Sequence, residues 1–350
     1  MESPLLAHPG AVPAGGTDAG VAAHYGDPYA EQRALAQSAG QVDRSNRGIL
    51  RITGEDRLSW LHSLTTQDIE HLAPGQTAQA LVLSPQGHIE HHLTVADDGT
   101  ALWAHVEPGT AEALLAFLQS MRFLLRVDPA DVTGDFAVLT RKGPATAAEP
   151  PEGTVVTMAD SFGTDMIVAR DRLRDISARL EQDGVRLAGL AAYEALRIEA
   201  HRPRLGFDTD HKTLPHEVGW IDTAVHLNKG CYRGQETVAR VHNLGHPPRR
   251  LVFLHLDGSE DRLPAHGDPV TADDAAVGFT GSVARHFELG PIALGLIKRT
   301  VPVNPTAASS AVTGSPCAGS RSSLPSRWRK TSLRGGCPRL CTRATVSWPR

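Results

Sequence analysis

The segment KGCYRGQE, residues 229–236, contains Cys231, the only cysteine in the first 300 positions. Glycines on both sides of it permit backbone conformations that are closed to other residues. Lys229 and a helix predicted to begin at Gln235 would both stabilise a thiolate. A lone cysteine is more often a small buried hydrophobe. Three active roles also fit a thiolate here: a nucleophile, an oxidant sensor, or a transient ligand of a metal cluster.

A second candidate site is GHIEHHL, where His88, Glu90 and His92 share one face of a predicted strand. Alternate positions of this kind can hold a metal ion, but a third clear ligand from another segment is missing. We favour the simpler interpretation, the polar face of a half-buried strand. The sequence therefore predicts no resident metal site.

The composition limits the class of protein. Of the 350 residues, 41% are hydrophobic and 21% are charged, which is typical of a globular chain. No apolar run reaches the roughly 18 residues that span a bilayer, and the N-terminus lacks a secretion signal. The four cysteines form no disulfide framework. We therefore expect a cytoplasmic protein with no membrane partner.

The net charge of −4 is distributed unevenly. Residues 1–304 contain 27 Lys and Arg against 39 Asp and Glu, whereas residues 305–350 contain eight basic residues and no acid. An acidic body argues against direct nucleic-acid binding as the main function. The basic tail has no hydrophobic period, and we interpret it as disordered or as an out-of-frame reading of the true C-terminus.

Hydrophobic periodicity predicts how these residues are positioned. The N-terminal half contains a strand, turn and strand, then a helix, a three-stranded meander, a second helix and a returning strand, predicted at 39–52, 54–72, 78–106, 110–121 and 123–129. Two further helices are predicted at 172–184 and 189–203. Strands mixed with helices in this order indicate an α+β fold.

These patterns also suggest boundaries between parts of the chain. The predicted parts are a disordered leader (1–24), an N-terminal α+β part (25–142), a second α+β part with the KGCYRGQE motif (143–248), a small, incomplete C-terminal β-barrel (249–304), and the atypical tail (305–350).

Several segments together resemble one known family. KGCYRGQE followed by TVARVHN is similar to the signature of YgfZ-type folate-binding proteins, relatives of the glycine-cleavage T-protein, an aminomethyltransferase. Similar segments are LHSLTTQDIEHLAPGQTAQALVLSPQGHI, YEALRIEAHRPRLGFDTDHKTLPHEVGW and GPIALGLIKRTVPV. The resemblance covers about residues 40–303. It implies a three-lobed aminomethyltransferase-like fold with a C-terminal small β-barrel around a central folate channel.

The same resemblance implies a function. It suggests a protein that binds tetrahydrofolate, or a one-carbon derivative of it, and supports iron–sulfur cluster assembly or repair in client proteins, including tRNA-modifying enzymes. Two alternatives remain open. One is a tetrahydrofolate-dependent aminomethyl or methyl transferase, and the other is a non-catalytic folate-binding module with a structural cysteine.

The resemblance also implies site residues. Glu199 corresponds to the carboxylate that pairs with the adjacent N–H donors of the pterin ring. The motif contributes Cys231 as the reactive group. Its other implied folate contacts are Lys229, Tyr232, Arg233 and Gln235. Arg233 and the more distant Arg240 are candidates for the glutamate tail of the folate, because guanidinium pairs well with carboxylate.

Two departures and one ambiguity accompany the resemblance. His201 stands where the family usually has glycine, which would narrow or reposition the pocket. The transferases also need an aspartate near the reacting nitrogens, whereas the strand that leads into the predicted 110–121 helix, in ALWAHVEPGTAE, offers only Glu107. The GFDTDHKTLPHE loop is as well explained by structural side-chain turns as by binding.

Overall fold

The computed structural model describes residues 2–144, 149–259, 262–273 and 275–302, together with the backbone of 343–345. The helices in these ranges are α1 Pro28–Gln37, α2 Arg57–Leu64, α3 Ala111–Ser120, α4 Leu173–Gln182, α5 Leu190–Glu199 and α6 Gln235–Leu244. The strands are β1 Val12–Pro13, β2 Ala22–His24, β3 Gly40–Asp43, β4 Gly48–Thr53, β5 Thr77–Leu83, β6 Ile89–Asp97, β7 Ala101–Val106, β8 Asp128–Asp131, β9 Phe136–Lys142, β10 Thr154–Ala159, β11 Thr164–Ala169, β12 Arg186–Ala188, β13 Arg249–His255, β14 Pro269–Ala272, β15 Ala275–His286, β16 Gly290–Lys298 and β17 Arg343–Thr345.

The first sheet has the strand order β5-β6-β7-β4-β8 and is antiparallel throughout. Its central strands are rich in β-branched and aliphatic residues, as expected for strands that are covered on both faces. Helices α2 and α3 pack on one face, around Trp60, Leu61, Leu114 and Leu118. The meander and α3 lie where the sequence predicts them.

The second sheet has the order β10-β11-β9-β3-β12. The β3–β12 pair is parallel and the other pairs are antiparallel. Its two faces have different partners. Helix α4 covers one face through Leu173, Ile176 and Leu180, and the other face packs on the first sheet around Trp103 and Val138.

The third sheet has the order β14-β15-β16-β13-β17. Strand β17 pairs in parallel with β13, whereas the other described pairs are antiparallel. Most of the predicted tail lies outside the described residues. Closure of this sheet into a barrel therefore stays a prediction.

Helix α5 connects the second and third sheets. Tyr193 and Leu196 belong to a core with α1 and β3, while Ile198 packs on Phe253 and Leu294 of the third sheet. A helix buried on this many sides is a rigid platform for the polar groups that it carries. Helix α5 therefore fixes any site built at its surface or its C-terminal end.

The prediction that the leader is disordered is wrong. Residues 2–24 form short helical turns and the β1–β2 pair, and Leu5 and Val21 are buried. The Asp18 carboxylate accepts two hydrogen bonds from the Arg204 guanidinium. A few apolar anchors and one ion pair thus order a segment whose Ala, Gly and Pro content suggests flexibility.

Three other predictions change. The helix predicted to continue to residue 72 ends at Leu64. Beyond it, the Thr66 hydroxyl donates to the Ala224 carbonyl oxygen and accepts from the Leu81 N–H. The strand predicted at 123–129 begins only at Asp128, after a turn in which Leu124 is fully exposed. The predicted boundary at residue 143 cuts through the second sheet, because β3 and β9 hydrogen-bond to strands that follow it.

Within the described ranges, no helix has the length and apolarity needed to span a membrane.

Candidate functional site

Two carboxylates on α5 lie in different surroundings. Glu194 is on the side of the helix that faces the first and second sheets, among buried guanidinium groups. Glu199 is the last helical residue, and its side chain is 46% exposed. The sequence contains both in YEALRIEA, but only the structure separates their environments.

Glu199 lines a cavity of about 550 Å³, which falls within the range of small-molecule sites. The cavity lies at the C-terminal end of α5. It is bordered by the end of α1, the end of β9, the 161–162 turn, and the turn after β15. Four segments distant in sequence therefore meet around one exposed carboxylate.

The aromatic walls of this cavity are Phe162 and Phe287. The Nζ of Lys142 lies 3.8 Å from the centroid of the Phe162 ring and donates a hydrogen bond to the Phe162 carbonyl oxygen at 2.9 Å. Burial lowers the pKa of Lys142. Aromatic rings beside a carboxylate favour a flat heterocycle with N–H donors on one edge.

A second carboxylate, Glu288, also lines the cavity. The charged side chains that line the cavity are thus two acids and one lysine. That lysine already binds a carbonyl oxygen and an aromatic face. This balance disfavours an anionic group in the cavity. A donor-rich, uncharged ring fits it better than a carboxylate tail does.

The surroundings of Glu194 are closed by ion pairs. Arg197 Nη2 lies 2.7 Å from Glu194 Oε2, and Arg204 Nη1 lies 3.3 Å from the same oxygen. Glu107 accepts from Arg47 at 3.0 Å and from Arg204 Nε at 3.0 Å. We call these five residues the buried network.

Burial alone would raise the pKa of both acids of the buried network, but the guanidinium groups outweigh it. The pKa of Glu194 falls to about 2, and that of Glu107 falls far below its usual range. Both carboxylates are therefore charged and engaged. Glu107, the acid directly after β7 that the sequence offers for a transferase role, is thus engaged by two guanidinium groups.

The buried network continues into a second ion-pair cluster. Asp165 accepts from Arg44 Nη1 at 3.0 Å and lies 2.9 Å from Nε2 of His105. Burial lowers the pKa of His105 to about 4. This cluster crosses from the first sheet to the second and stabilises their relative position.

The KGCYRGQE loop is attached to the rest of the protein at both ends. The Lys229 ammonium donates to the carbonyl oxygens of His62, Thr65 and Gln67 at the C-terminal end of α2, the last at 2.9 Å. A cation at a helix C-terminus is favourable, although burial lowers the pKa of this lysine to about 8. Lys229 therefore holds the loop in place and leaves its amine engaged.

The other anchor is Gly234, the N-cap residue of α6, which has a φ of +83°. A Cβ at this position would lie 2.6 Å from the Ser84 carbonyl oxygen and 2.9 Å from Gly87 Cα. Any side chain would collide with the β5–β6 turn. The second glycine of the motif is thus explained by close backbone packing.

Between the anchors, Cys231 is exposed with a free thiol. Tyr232 is buried against Trp220 and Val238, and burial raises its pKa to about 12. Arg233 forms an exposed pair with Glu90 at 3.1 Å. Gln235 opens α6 and Arg240 is exposed on it.

The structure does not bring all seven predicted site residues together. Glu199 lines the cavity, whereas none of the motif residues from Lys229 to Gln235, nor Arg240, does so. Their roles in folate binding stay predictions. The structure assigns Lys229 and Tyr232 clear packing functions instead.

His201 follows the end of α5 with φ of +58°. This left-handed conformation costs a residue with a Cβ roughly 1 kcal/mol or more, and glycine adopts it freely. The departure noted in the sequence therefore falls at a position where the backbone itself favours glycine. His201 retains the turn, and its ring lies 6.4 Å from that of Phe253.

The acidic loop 207–217 is structural. Asp208 is fully buried and accepts from Arg197, from the Arg204 backbone N–H and from Ser282. Asp210 and Glu217 both bind Arg249 of β13. This loop therefore joins α5 to the third sheet.

The metal interpretation of GHIEHHL gains no support among the described residues. Glu90 pairs with Arg233, and the His92 ring stacks on Trp220 with centroids 4.3 Å apart. Over the described ranges, no cluster of three or more His, Cys, Asp or Glu residues could hold a metal ion.

Sequence reasoning missed most of the cavity. The lining residues Lys142, Phe162, Phe287 and Glu288, and His286 beside Glu199, come from regions more than 100 residues apart (142–162 and 286–288), and no motif spacing connects them to Glu199. The only available signal was GPIALG, which directly follows the turn after β15. Folding is needed to show what precedes it.

Comparisons with known proteins agree with this architecture. Residues 23–149 match the GCVT N-terminal domain model. An aminomethyltransferase of Synechococcus sp. (strain WH7803) is 29% identical over 279 residues, covering 69% of this chain and 74% of that protein. An aminomethyltransferase of Rippkaea orientalis is 28% identical over 304 residues, covering 77% and 81%.

The fold has a solved counterpart. The crystal structure of the glycine cleavage system aminomethyltransferase T from Bartonella henselae superposes with a TM-score of 0.71 at 19% identity, over 84% of this chain and 88% of that one. The α+β aminomethyltransferase-like fold is thus confirmed. The chain is thus similar to proteins of the GcvT-like superfamily, while the narrower YgfZ-type assignment stays a prediction.

Proposed function

Starting from its similarity to the GcvT-like superfamily, we propose that this protein binds tetrahydrofolate, or a one-carbon derivative of it, with the pterin ring at Glu199. The observation that carries the proposal is the cavity at the end of α5, which an exposed carboxylate and two phenylalanines line together. A pterin presents adjacent N–H donors to such a carboxylate and a flat face to such rings.

The charge of the cavity supports one orientation of the ligand. Glu199 and Glu288 repel the carboxylates of the glutamate tail, so the tail extends away from them towards solvent. Titration of the purified protein with tetrahydrofolate, followed by calorimetry, tests the proposal. Saturable binding that Glu199→Ala weakens is expected; absence of binding to the wild type would contradict it.

We further propose that folate binding serves iron–sulfur cluster assembly or repair in client proteins, with Cys231 as the reactive group. The support is the KGCYRGQE resemblance together with an exposed free thiol on a loop anchored at both ends. A thiol in this setting is accessible to a macromolecular partner.

Cys231→Ser tests this second step. We expect the variant to fold and bind tetrahydrofolate like the wild type but to fail to restore iron–sulfur enzyme activity in cells that lack the endogenous protein. Full rescue by the serine variant would exclude a role for the thiol. Cys317→Ser provides a matched control outside the motif.

A one-carbon transferase is the second candidate function, because the similar proteins of Synechococcus and Rippkaea orientalis are aminomethyltransferases. The engagement of Glu107 by Arg47 and Arg204 argues against it, since that acid cannot accept a proton. Formation of methylene-tetrahydrofolate from an aminomethyl donor would establish the transferase; its absence with a folate-binding protein favours the first proposal.

A further inference from the structure

His286, at the end of β15, is the residue that faces Glu199. Its side chain is 1% exposed, and its Nε2 lies 3.3 Å from Oε2 of Glu199. No well-aligned hydrogen bond satisfies this buried nitrogen within the described residues. A polar atom this deeply buried normally has a partner, and the carboxylate is next to it.

The tautomer of His286 follows from its other nitrogen. The backbone N–H groups of Glu288 and Leu289 both lie 3.1 Å from Nδ1 and donate to it. Nδ1 must therefore be the acceptor, which leaves the proton of the neutral imidazole on Nε2. Oε2 of Glu199, 3.3 Å from Nε2, is an acceptor within reach of that N–H.

The backbone around His286 is fixed from α1. Gln32, itself buried, donates from Nε2 to the Arg285 carbonyl oxygen at 2.9 Å and accepts from the Phe287 N–H at 2.9 Å. One amide thus holds both neighbours of His286. With the backbone held, rotation of the imidazole would break the two hydrogen bonds that Nδ1 accepts, whereas the half-exposed Glu199 can adjust to it.

We infer that His286 is a positioning residue for the pterin-binding carboxylate: its Nε2–H holds Oε2 of Glu199, so that the remaining carboxylate lone pairs face the N–H edge of the bound ring. This inference rests on the proposed folate function. It explains why a histidine occupies a buried position against a helix end that carries an acid.

Two substitutions separate the functions of the two imidazole nitrogens. In His286→Asn, the amide oxygen can replace Nδ1 as the acceptor for the two backbone N–H groups, but no donor reaches Glu199. Gln in His286→Gln retains a donor near Nε2 but loses that acceptor. We expect His286→Asn to fold normally and bind tetrahydrofolate about tenfold more weakly, the loss of one hydrogen bond to a charged group. His286→Gln should melt at a lower temperature and retain more of the affinity.

A double-mutant cycle makes the test specific. Because His286 acts through Glu199, His286→Asn should have no further effect on tetrahydrofolate affinity in a Glu199→Ala background. His216→Gln, at a half-buried histidine outside the cavity, is the control and should leave affinity unchanged. Equal losses in both backgrounds would overturn the inference.

Nitrogen-15 NMR of the histidine side chains gives a readout that does not need the folate. Protonation of His286 at Nε2 with an unprotonated Nδ1 is expected, and the opposite tautomer would overturn the inference by itself. If the tautomer is as expected but the wild type binds no tetrahydrofolate, the proposed function fails and the positioning role fails with it. If the wild type binds and the cycle shows no coupling, only the positioning role fails.

Discussion

Glu194 and Glu199 are five residues apart on one helix, yet their chemical surroundings are opposite. Glu194 is held by Arg197 and Arg204 inside the buried network, while Glu199 faces an open cavity with a single histidine beside it. A carboxylate with all its lone pairs engaged stabilises the fold and has nothing to offer a ligand. One that retains free lone pairs at a cavity wall can bind a ligand and contributes little to stability.

The largest effect should come from breaking the buried network. Glu107→Gln removes the carboxylate that pairs with the buried Arg47, while Arg204 keeps Asp18 and Glu194; an uncompensated buried cation costs about 3–5 kcal/mol. We expect this loss in the free energy of unfolding by chemical denaturation. A loss below about 1 kcal/mol would mean that the network is not a stabilising unit.

Low pH should remove the contribution that Glu194 makes to the stability of the folded protein. The pKa of Glu194 is about 2 in the folded protein, against about 4.3 in an unfolded chain. The lowered pKa contributes stability that is complete above about pH 4.3 and is lost as the pH falls towards 2. Wild type and Glu194→Gln should therefore converge in stability between pH 5 and about pH 2. Parallel stability curves over that window would contradict the assignment.

On the Glu199 side, the effects on binding and on stability should separate. Glu199→Ala should weaken tetrahydrofolate binding by roughly 10- to 100-fold, because the pterin loses its charged acceptor. Its free energy of unfolding should fall by about 1 kcal/mol, well below the loss expected for Glu107→Gln, because the half-exposed carboxylate leaves only the His286 imidazole without a partner. Calorimetric titration and denaturation of the same preparation would measure both, and a comparable loss in each would erase the contrast with Glu194.

The smallest effect is expected at the exposed Arg233–Glu90 pair. Glu90→Gln should change the free energy of unfolding by at most about 0.5 kcal/mol, because solvent screens the pair. It serves as the matched control for Glu107→Gln in the same denaturation series. If Glu90→Gln were as damaging as Glu107→Gln, burial would not explain the difference.

Much of the secondary structure was predictable because its cause is local. The β5–β7 meander and helices α3 to α6 follow from hydrophobic period and from turn residues close to them. The assignment of strands to sheets was not predictable in this way. β3 and β4 are separated by a four-residue turn and belong to different sheets, which depends on partners 90 or more residues away in the case of β3.

The candidate functional site was likewise predictable only in part. Glu199 was predicted from the RIEA resemblance, but Lys142, Phe162 and His286 have no signal near it in the sequence. They meet Glu199 because the second and third sheets both pack on α5. The leader was misjudged for a related reason: Asp18 is ordered by Arg204, 186 positions later.

The two anchors of the KGCYRGQE loop have a consequence for the kinetics of the thiol. With Lys229 fixed to the end of α2 and Gly234 pressed on the β5–β6 turn, Cys231 is presented to solvent by the native state itself. A reagent or partner does not have to wait for a local opening event. Encounter frequency and the intrinsic reactivity of the sulfur, and not a conformational gate, set the rate at which this cysteine reacts.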